Sequence, residues 1–283
     1  MPRFCLAGTT CRSIFLVFSL LTVAHAQPSV ASVPAARTAE SGLLAQDIAA
    51  AGRLRMQSQR IAKLYQQAAL GINAGPALQQ LGAAGNEIDA EFARLARYGK
   101  RANIQRTFAR SEALWLEMRS LLKKVPNAAS TERINQLADE LMLHTGKLAV
   151  LIEGEGETSI GRLLDQSSRL NMLAQRLARL YLQVQGGDRS QGVLTDLEQA
   201  RREFATGLHE LDTARENSAA SRENIALARN QWIFFDSAIV RLNVAGRDSK
   251  AALNVATSSE RIAQVLDATC AQYVRDFGEG RAR

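Results

Sequence analysis

Hydrophobic residues recur at helical spacing through most of the chain, and glycine, proline and polar breaks divide them into eight segments. After residue 40 the only prolines are Pro76 and Pro126, and aromatic and β-branched residues are sparse, which disfavours a sheet. The predicted fold class is therefore all-α. The predicted helices cover about residues 41–70, 76–98, a third segment through Trp115 to 124, 130–152, 158–185, 190–216, a seventh segment through Trp232 to 245, and 248–277.

The chain contains one helical segment twice. Residues 51–67 and 167–183 align without a gap at an offset of 116, and nine of their 17 positions are identical, where ordinary composition gives roughly one match. This repeat predicts an internal duplication into two tandem up-down four-helix bundle modules. We place the modules at residues 41–155 and 156–279, with the acidic, glycine-containing residues 153–157 as the linker.

The N-terminus has the pattern of an export signal. Residues 1–26 combine two arginines, an apolar run and the small-residue cleavage motif that ends at Ala26, which predicts a cleaved secretory signal peptide. A retained N-terminal anchor is the alternative. Residues 27–40 lack periodicity and are predicted to be a flexible lead-in. We therefore expect a periplasmic protein.

Charge and motifs limit the function. Removing the two arginines of the signal leaves (35 − 2) − 28 = +5, which suits a small anion or an anionic surface, and export argues against nucleic acid as a partner. Cys270 alone remains after processing, so no internal disulfide is expected. The sequence has no metalloprotease, haem-attachment, di-iron or nucleophile-elbow motif. We expect no enzymatic activity, cofactor or metal.

The first repeated helix has an arginine in an apolar seam. Leu44, Ile48, Ala51, Arg55, Ser58, Ala62 and Tyr65 follow one another at steps of three and four residues. A buried guanidinium there requires an anionic partner, although Arg55 could instead extend to solvent. Arg53 and Arg60 lie on another face, where surface or ion-pair roles are the alternative to ligand binding.

The run from Gly52 to Arg60, followed by Leu64-Tyr65, resembles a motif in the first helix of the type IV pilus methyl-accepting transducer N-terminal (PilJ-like) domain. It is also similar to the P-box of the periplasmic sensor domain in nitrate/nitrite sensor histidine kinases. The resemblance implies a four-helix bundle in which the P-box helices of two protomers meet and an arginine, here Arg55, holds nitrate. The second copy departs from this pattern, with Asn171 in place of the arginine and Ser168 in place of the glycine.

These observations predict a non-enzymatic sensor of a small oxyanion such as nitrate or nitrite, relaying occupancy to a membrane-bound signalling or transport protein. We expect the two modules to form an internal pseudo-dimer that pairs the helix of Arg55 with that of Asn171. The alternative is a helical adaptor that docks on a membrane chemoreceptor or envelope component without a small ligand. The predicted ligand-binding residues are Arg55, Asn171, Gly52, Ser58, Arg53 and Arg60.

Overall fold

The computed structural model describes residues 32–156, 160–242 and 247–278. Within these ranges the chain forms eight α-helices and one 3₁₀-helix, and no strand, which confirms the all-α prediction. The α-helices are α1 (Ser32–Ala69), α2 (Ala74–Leu95), α3 (Gln105–Leu121), α4 (Ala128–Glu153), α5 (Gly161–Gly186), α6 (Gln191–Asp212), α7 (Ala219–Arg241) and α8 (Ser249–Gly278). The 3₁₀-helix, Ala96–Lys100, includes the last residues of the helix predicted over 76–98 and the two residues that follow it.

Local sequence explains the helix ends. Gly71 and Gly187 adopt positive φ angles of 70° and 106° just after α1 and α5, a conformation that glycine accepts without strain. At the start of α4 the Asn127 side chain accepts a hydrogen bond from the Ser130 backbone N–H, and the Ser130 hydroxyl accepts one from that of Asn127. This capping box starts α4 two residues earlier than predicted.

The described N-terminal residues differ from the predicted lead-in. Helix α1 begins at Ser32, so residues 32–40 are helical. Pro34 does not prevent this, because it lies in the first turn, where a missing N–H breaks no helical hydrogen bond. The predicted signal peptide, residues 1–26, lies outside the described residues. In the ranges described above, no helix combines the length and hydrophobicity needed to cross a membrane.

Each half of the chain packs around its first helix. Helix α1 contacts α2 and α4, and α3 contacts α4. In the second half α5 contacts α6 and α8, and α7 contacts α6 and α8. The two halves meet because α1 also packs along α5 and against α8. One continuous hydrophobic core therefore includes buried residues from both modules.

Helices α1 and α5 run parallel. Their contacts advance together along both chains: Gly52 lies against Ser168, Gln59 accepts a hydrogen bond from Arg179, and Leu70 lies beside Gly186. Gly52 and Ser168 are equivalent positions of the repeat, since 168 − 52 = 116. Equivalent positions of the repeat therefore meet in an approximately symmetric contact of α1 with α5, while the internal pseudo-dimer stays a prediction.

Two buried cations follow this approximate symmetry. Lys63 on α1 is fully buried and forms an ion pair with Glu260 on α8. Its equivalent, Arg179 on α5, is 2% exposed and binds both carboxylate oxygens of Asp139 on α4, at 2.8 and 3.0 Å. In each half of the chain, therefore, a buried cation on the first helix forms an ion pair with a carboxylate on the last helix of the other half.

Candidate functional site

Arg55 extends from α1 towards α4 and α5. Its guanidinium passes over Gly146 of α4, where an added β-carbon would lie 3.2 Å from Nε. The nearest carboxylate oxygen is Oδ1 of Asp165 on α5, 3.6 Å from Nη1, which is too long for a hydrogen bond. Among the described residues the guanidinium makes no hydrogen bond, and Nε is buried without a partner. Arg55 thus has a weak ionic contact only.

Other arginines of the repeated helices are firmly paired. Arg53 binds Glu91, and Arg60 binds Glu260 at 2.8 Å. In the second copy Arg169 binds Glu203 and Arg176 binds Asp196, each at 2.9 Å. Arg55 differs from these arginines because it has no carboxylate within hydrogen-bond distance. Charge-assisted hydrogen bonds are stronger than neutral ones, so Arg55 lacks a stabilising interaction that the other arginines have.

A cavity of about 300 Å³ adjoins the Arg55 side chain. Two further cations line it, Lys147 of α4 and Arg169 of α5, together with one carboxylate, Asp165. Since a water molecule occupies about 30 Å³, a planar anion and several waters fit. The charged side chains that line the cavity carry a net positive charge.

Burial governs the electrostatics of this site. It lowers the pKa of Arg55, while Asp165 raises it and Arg169 lowers it further. Burial also raises the pKa of Glu153, with an added contribution from the nearby Asp165. The guanidinium has therefore lost hydration that one carboxylate at 3.6 Å replaces only partly.

Gly52 and Ser58 contribute to packing around Arg55. A β-carbon on Gly52 would lie 2.6 Å from Cβ of Ser168, so glycine permits the close approach of α5. The fully buried Ser58 donates its hydroxyl proton to the backbone oxygen of Arg55. Neither residue lines the cavity. Both residues act on the helix that presents the arginine.

Asn171 faces away from Arg55. Its amide donates to the Ala263 backbone oxygen at 3.3 Å and to Asp267 Oδ1 at 2.9 Å, both on α8. In the first module the residue that corresponds to Asp267 is Gly146. An offset of 121 relates the two, as it relates Ala138 to Ser259, which accept equivalent hydrogen bonds from Gln59 and Gln175. An asparagine facing an aspartate has thus replaced an arginine facing a glycine. Burial raises the pKa of Asp267 to about 6.

Of the six predicted binding residues, Arg55 alone lines the cavity. Arg53 and Arg60 have the ion-pair roles that the sequence left as their alternative. The structure adds Arg169, Lys147, Gly146 and Asp165. Arg169 was visible in sequence as one of the arginines shared by both copies, whereas the other three carry no sequence signal.

Comparison with known families gives a match over part of the chain. Residues 38–141 match the family model PilJ, described as the type IV pili methyl-accepting chemotaxis transducer N-term. This segment is PilJ-like. It contains most of α1, all of α2 and α3 and the first half of α4, including Arg55. Neither a curated protein nor a solved structure matches the chain.

The matched segment covers 104 of the 283 residues, and the family that it resembles is one of chemotaxis transducers, which are signalling proteins. PilJ N-terminal domains are typically periplasmic. In the described part of the chain, no group of histidine, cysteine and acidic side chains could hold a metal ion. The PilJ-like resemblance predicted from the run Gly52 to Arg60 is confirmed for residues 38–141, whereas the second copy and the similarity to the nitrate-sensor P-box stay predictions.

Proposed function

We propose that the protein is an exported, non-enzymatic sensor that binds a small oxyanion such as nitrate or nitrite beside Arg55. Its main support is that Arg55, which is mostly buried, makes no side-chain hydrogen bond among the described residues, with Nε buried and unpartnered. It also adjoins a cavity lined by Lys147 and by Arg169, which keeps its pair with Glu203. An oxyanion supplies the acceptor oxygens that this guanidinium lacks. The PilJ-like character of residues 38–141 is consistent with a sensory role.

Binding at this position would act on the contact between the modules. Arg55 lies on α1 and its ionic partner Asp165 on α5. An anion at Arg55 repels the Asp165 carboxylate and replaces this contact between helices. The close approach of Gly52 and Ser168 lies one turn away, so a small shift there changes the packing of α1 on α5. This shift is the signal that a membrane-bound signalling or transport partner would read.

Arg55→Ala is expected to weaken nitrate and nitrite binding by ten- to a hundredfold, because a charge-assisted hydrogen bond contributes about 1.5–3 kcal/mol. Isothermal titration calorimetry at constant ionic strength measures this. Arg110→Ala is the matched control, since Arg110 is an exposed arginine paired with Glu140. Wild-type protein that shows no saturable heat with either anion contradicts the oxyanion proposal, as does equal binding by Arg55→Ala.

Asp165→Asn is expected to strengthen binding of the same anions about tenfold, because the variant removes the negative charge that competes for Arg55. Without anion the variant should unfold more readily than wild type, since Arg55 then loses its ionic partner. Calorimetry and thermal unfolding with and without nitrate measure the two effects. Glu112→Gln on α3 removes an equal charge from an exposed position and should change neither. Weaker binding by Asp165→Asn would argue against competition.

An adaptor function is the second candidate, and an exposed apolar stripe on α7 favours it. Ile233 and Phe234 are 62% and 70% exposed, and Leu227 and Val240 are 50% and 53% exposed at seven-residue spacing from these two. For this candidate, Phe234→Asp abolishes binding to a membrane chemoreceptor while nitrate produces no thermal shift. A nitrate-specific thermal shift at constant ionic strength favours the sensor.

A further inference from the structure

A second and larger cavity, of about 540 Å³, lies between the modules at the opposite end of the α1–α5 contact. We call it the junction cleft. Residues from α1, α4, α5 and the start of α6 line it, including Gln66, Asn135, Arg179 and Val193. Gln66 lies eleven residues beyond Arg55 on α1, which at 1.5 Å per residue is about 17 Å. The junction cleft is therefore separate from the candidate oxyanion site.

Buried polar side chains form part of its wall. Asn135 is 7% exposed, and its Nδ2 donates to Oε1 of Gln66 at 3.5 Å. The Oδ1 atom of Asn135 is buried and has no hydrogen-bond partner among the residues that the structure describes, and the same holds for Oγ1 of Thr131 one turn earlier on α4. A carbonyl oxygen can only accept a hydrogen bond. A donor presented from the junction cleft would complete the hydrogen bonding of Asn135.

The charge of the junction cleft is negative. Four carboxylates line it, Glu132, Asp139, Asp188 and Asp196, against the single cation Arg179. Asp139 is neutralised by Arg179, and Asp196 is paired with Arg176. Glu132 is exposed and has no ion-pair partner in the described ranges, and Asp188 adds another exposed carboxylate. These two acids favour a cation.

Apolar side chains complete the lining. Ala69 and Leu70 come from the end of α1, Leu180 from α5 and Val193 from α6. Hydrocarbon surfaces beside acceptor oxygens and carboxylates match a molecule with methylene groups between cationic N–H donors. A small oxyanion matches neither the charge nor the free acceptor. Aliphatic diamines and polyamines combine a hydrogen-bond donor, a positive charge and a hydrocarbon chain.

We propose that the junction cleft binds an aliphatic diamine or polyamine. One ammonium group donates to Oδ1 of Asn135, the methylene chain contacts Leu180 and Val193, and a second ammonium group faces Glu132 and Asp188. The ligand would contact both modules, α4 of the first and α5 and α6 of the second. Binding would therefore favour the packed arrangement of the modules.

Calorimetric titration of the protein with 1,4-diaminobutane and with spermidine, at constant ionic strength and neutral pH, tests the proposal. Wild type should bind one molecule per chain with saturable heat. Asn135→Leu, which keeps the side-chain volume and removes the acceptor, should weaken binding at least tenfold. Glu132→Gln should weaken it at least threefold, whereas Glu140→Gln, an exposed acid of the same helix outside the cleft, should leave it unchanged.

Absence of saturable binding to wild type overturns the proposal. So does equal binding by Asn135→Leu, or binding of glycerol as tight as that of the diamine, because an uncharged polyol needs neither carboxylate. If Asn135→Leu does not fold by circular dichroism, Thr131→Val and Glu132→Gln decide the matter. Arg55→Ala should retain amine binding and lose nitrate binding, so failure of one site is distinguishable from failure of the other.

Discussion

Asp139→Ala is expected to lower the free energy of unfolding by about 3 kcal/mol, because it leaves a buried guanidinium without its carboxylate. Arg179 is 2% exposed and binds both oxygens of Asp139. Without Asp139 its remaining partners are the neutral amides of Gln59 and Gln183. Arginine does not deprotonate in proteins, so the charge cannot be removed by titration. Urea unfolding followed by circular dichroism measures the loss.

Two further variants make this prediction specific. Adding Arg179→Met to Asp139→Ala should recover most of the lost stability, since the double variant contains no unpaired buried charge. Glu140→Ala, next to Asp139, should change stability by less than about 0.5 kcal/mol, because its pair with Arg110 is exposed. A double variant as unstable as Asp139→Ala alone would show that the ion pair is not the cause.

The symmetry-related pair should respond differently to pH. Glu260→Ala leaves Lys63 buried, and burial already lowers the pKa of Lys63 while Glu260 opposes this. In the variant the folded-state pKa falls further below the unfolded value, so folding releases a proton and stability rises with pH up to the unfolded pKa. The stability deficit of Glu260→Ala should therefore shrink as the pH rises towards the unfolded pKa of lysine, about 10.4, whereas that of Asp139→Ala should stay constant over the same range.

Gly52→Leu is expected to destabilise the protein by about 3 kcal/mol, at the upper end of the usual overpacking cost. A β-carbon on Gly52 would lie 2.6 Å from Cβ and 2.8 Å from Oγ of Ser168, so α1 and α5 must separate. This separation also disturbs the Arg55–Asp165 contact one turn away. Thermal and urea unfolding measure the stability, and a nitrate titration reports the effect on the candidate site.

Two control variants test whether the effect is specific to Gly52. A β-carbon added to Gly82 of α2 would have no atom within 4 Å, so Gly82→Ala should stabilise by about 0.5–1 kcal/mol through helix propensity. Exchanging the equivalent residues, Gly52→Ser with Ser168→Gly, should be more stable than Gly52→Ser alone, because one β-carbon remains at the contact. A Gly52→Leu protein as stable as wild type would contradict the close contact of the two helices.

The sequence was sufficient for the helical fold because its hydrophobic period persists over long segments and its breaks have distinct local causes, such as Gly71 and Gly187. The repeat also led to the pairing of α1 with α5. Arg55 could be singled out because one cation in an apolar seam is locally inconsistent. These features depend on residues close together in sequence.

The remainder of the site depends on contacts that sequence spacing does not encode. Asp165 and Asn171 lie on the same helix, yet one faces Arg55 and the other faces Asp267, 96 residues further along. Helical phasing alone does not determine which face of α5 meets α1 and which meets α8. The start of α1 was missed for a different reason, because residues 32–40 show no hydrophobic periodicity in the sequence and contain a proline that the first turn accepts.

Because α1 and α5 belong to one polypeptide, their association does not depend on protein concentration. Two separate chains would have to meet at micromolar levels, whereas a covalent connection supplies an effective concentration in the millimolar range. Dilution therefore leaves the pairing intact, and the two halves were free to diverge in sequence without a mutation appearing twice. The ligand response of such a protein would therefore be the same at low and at high expression levels.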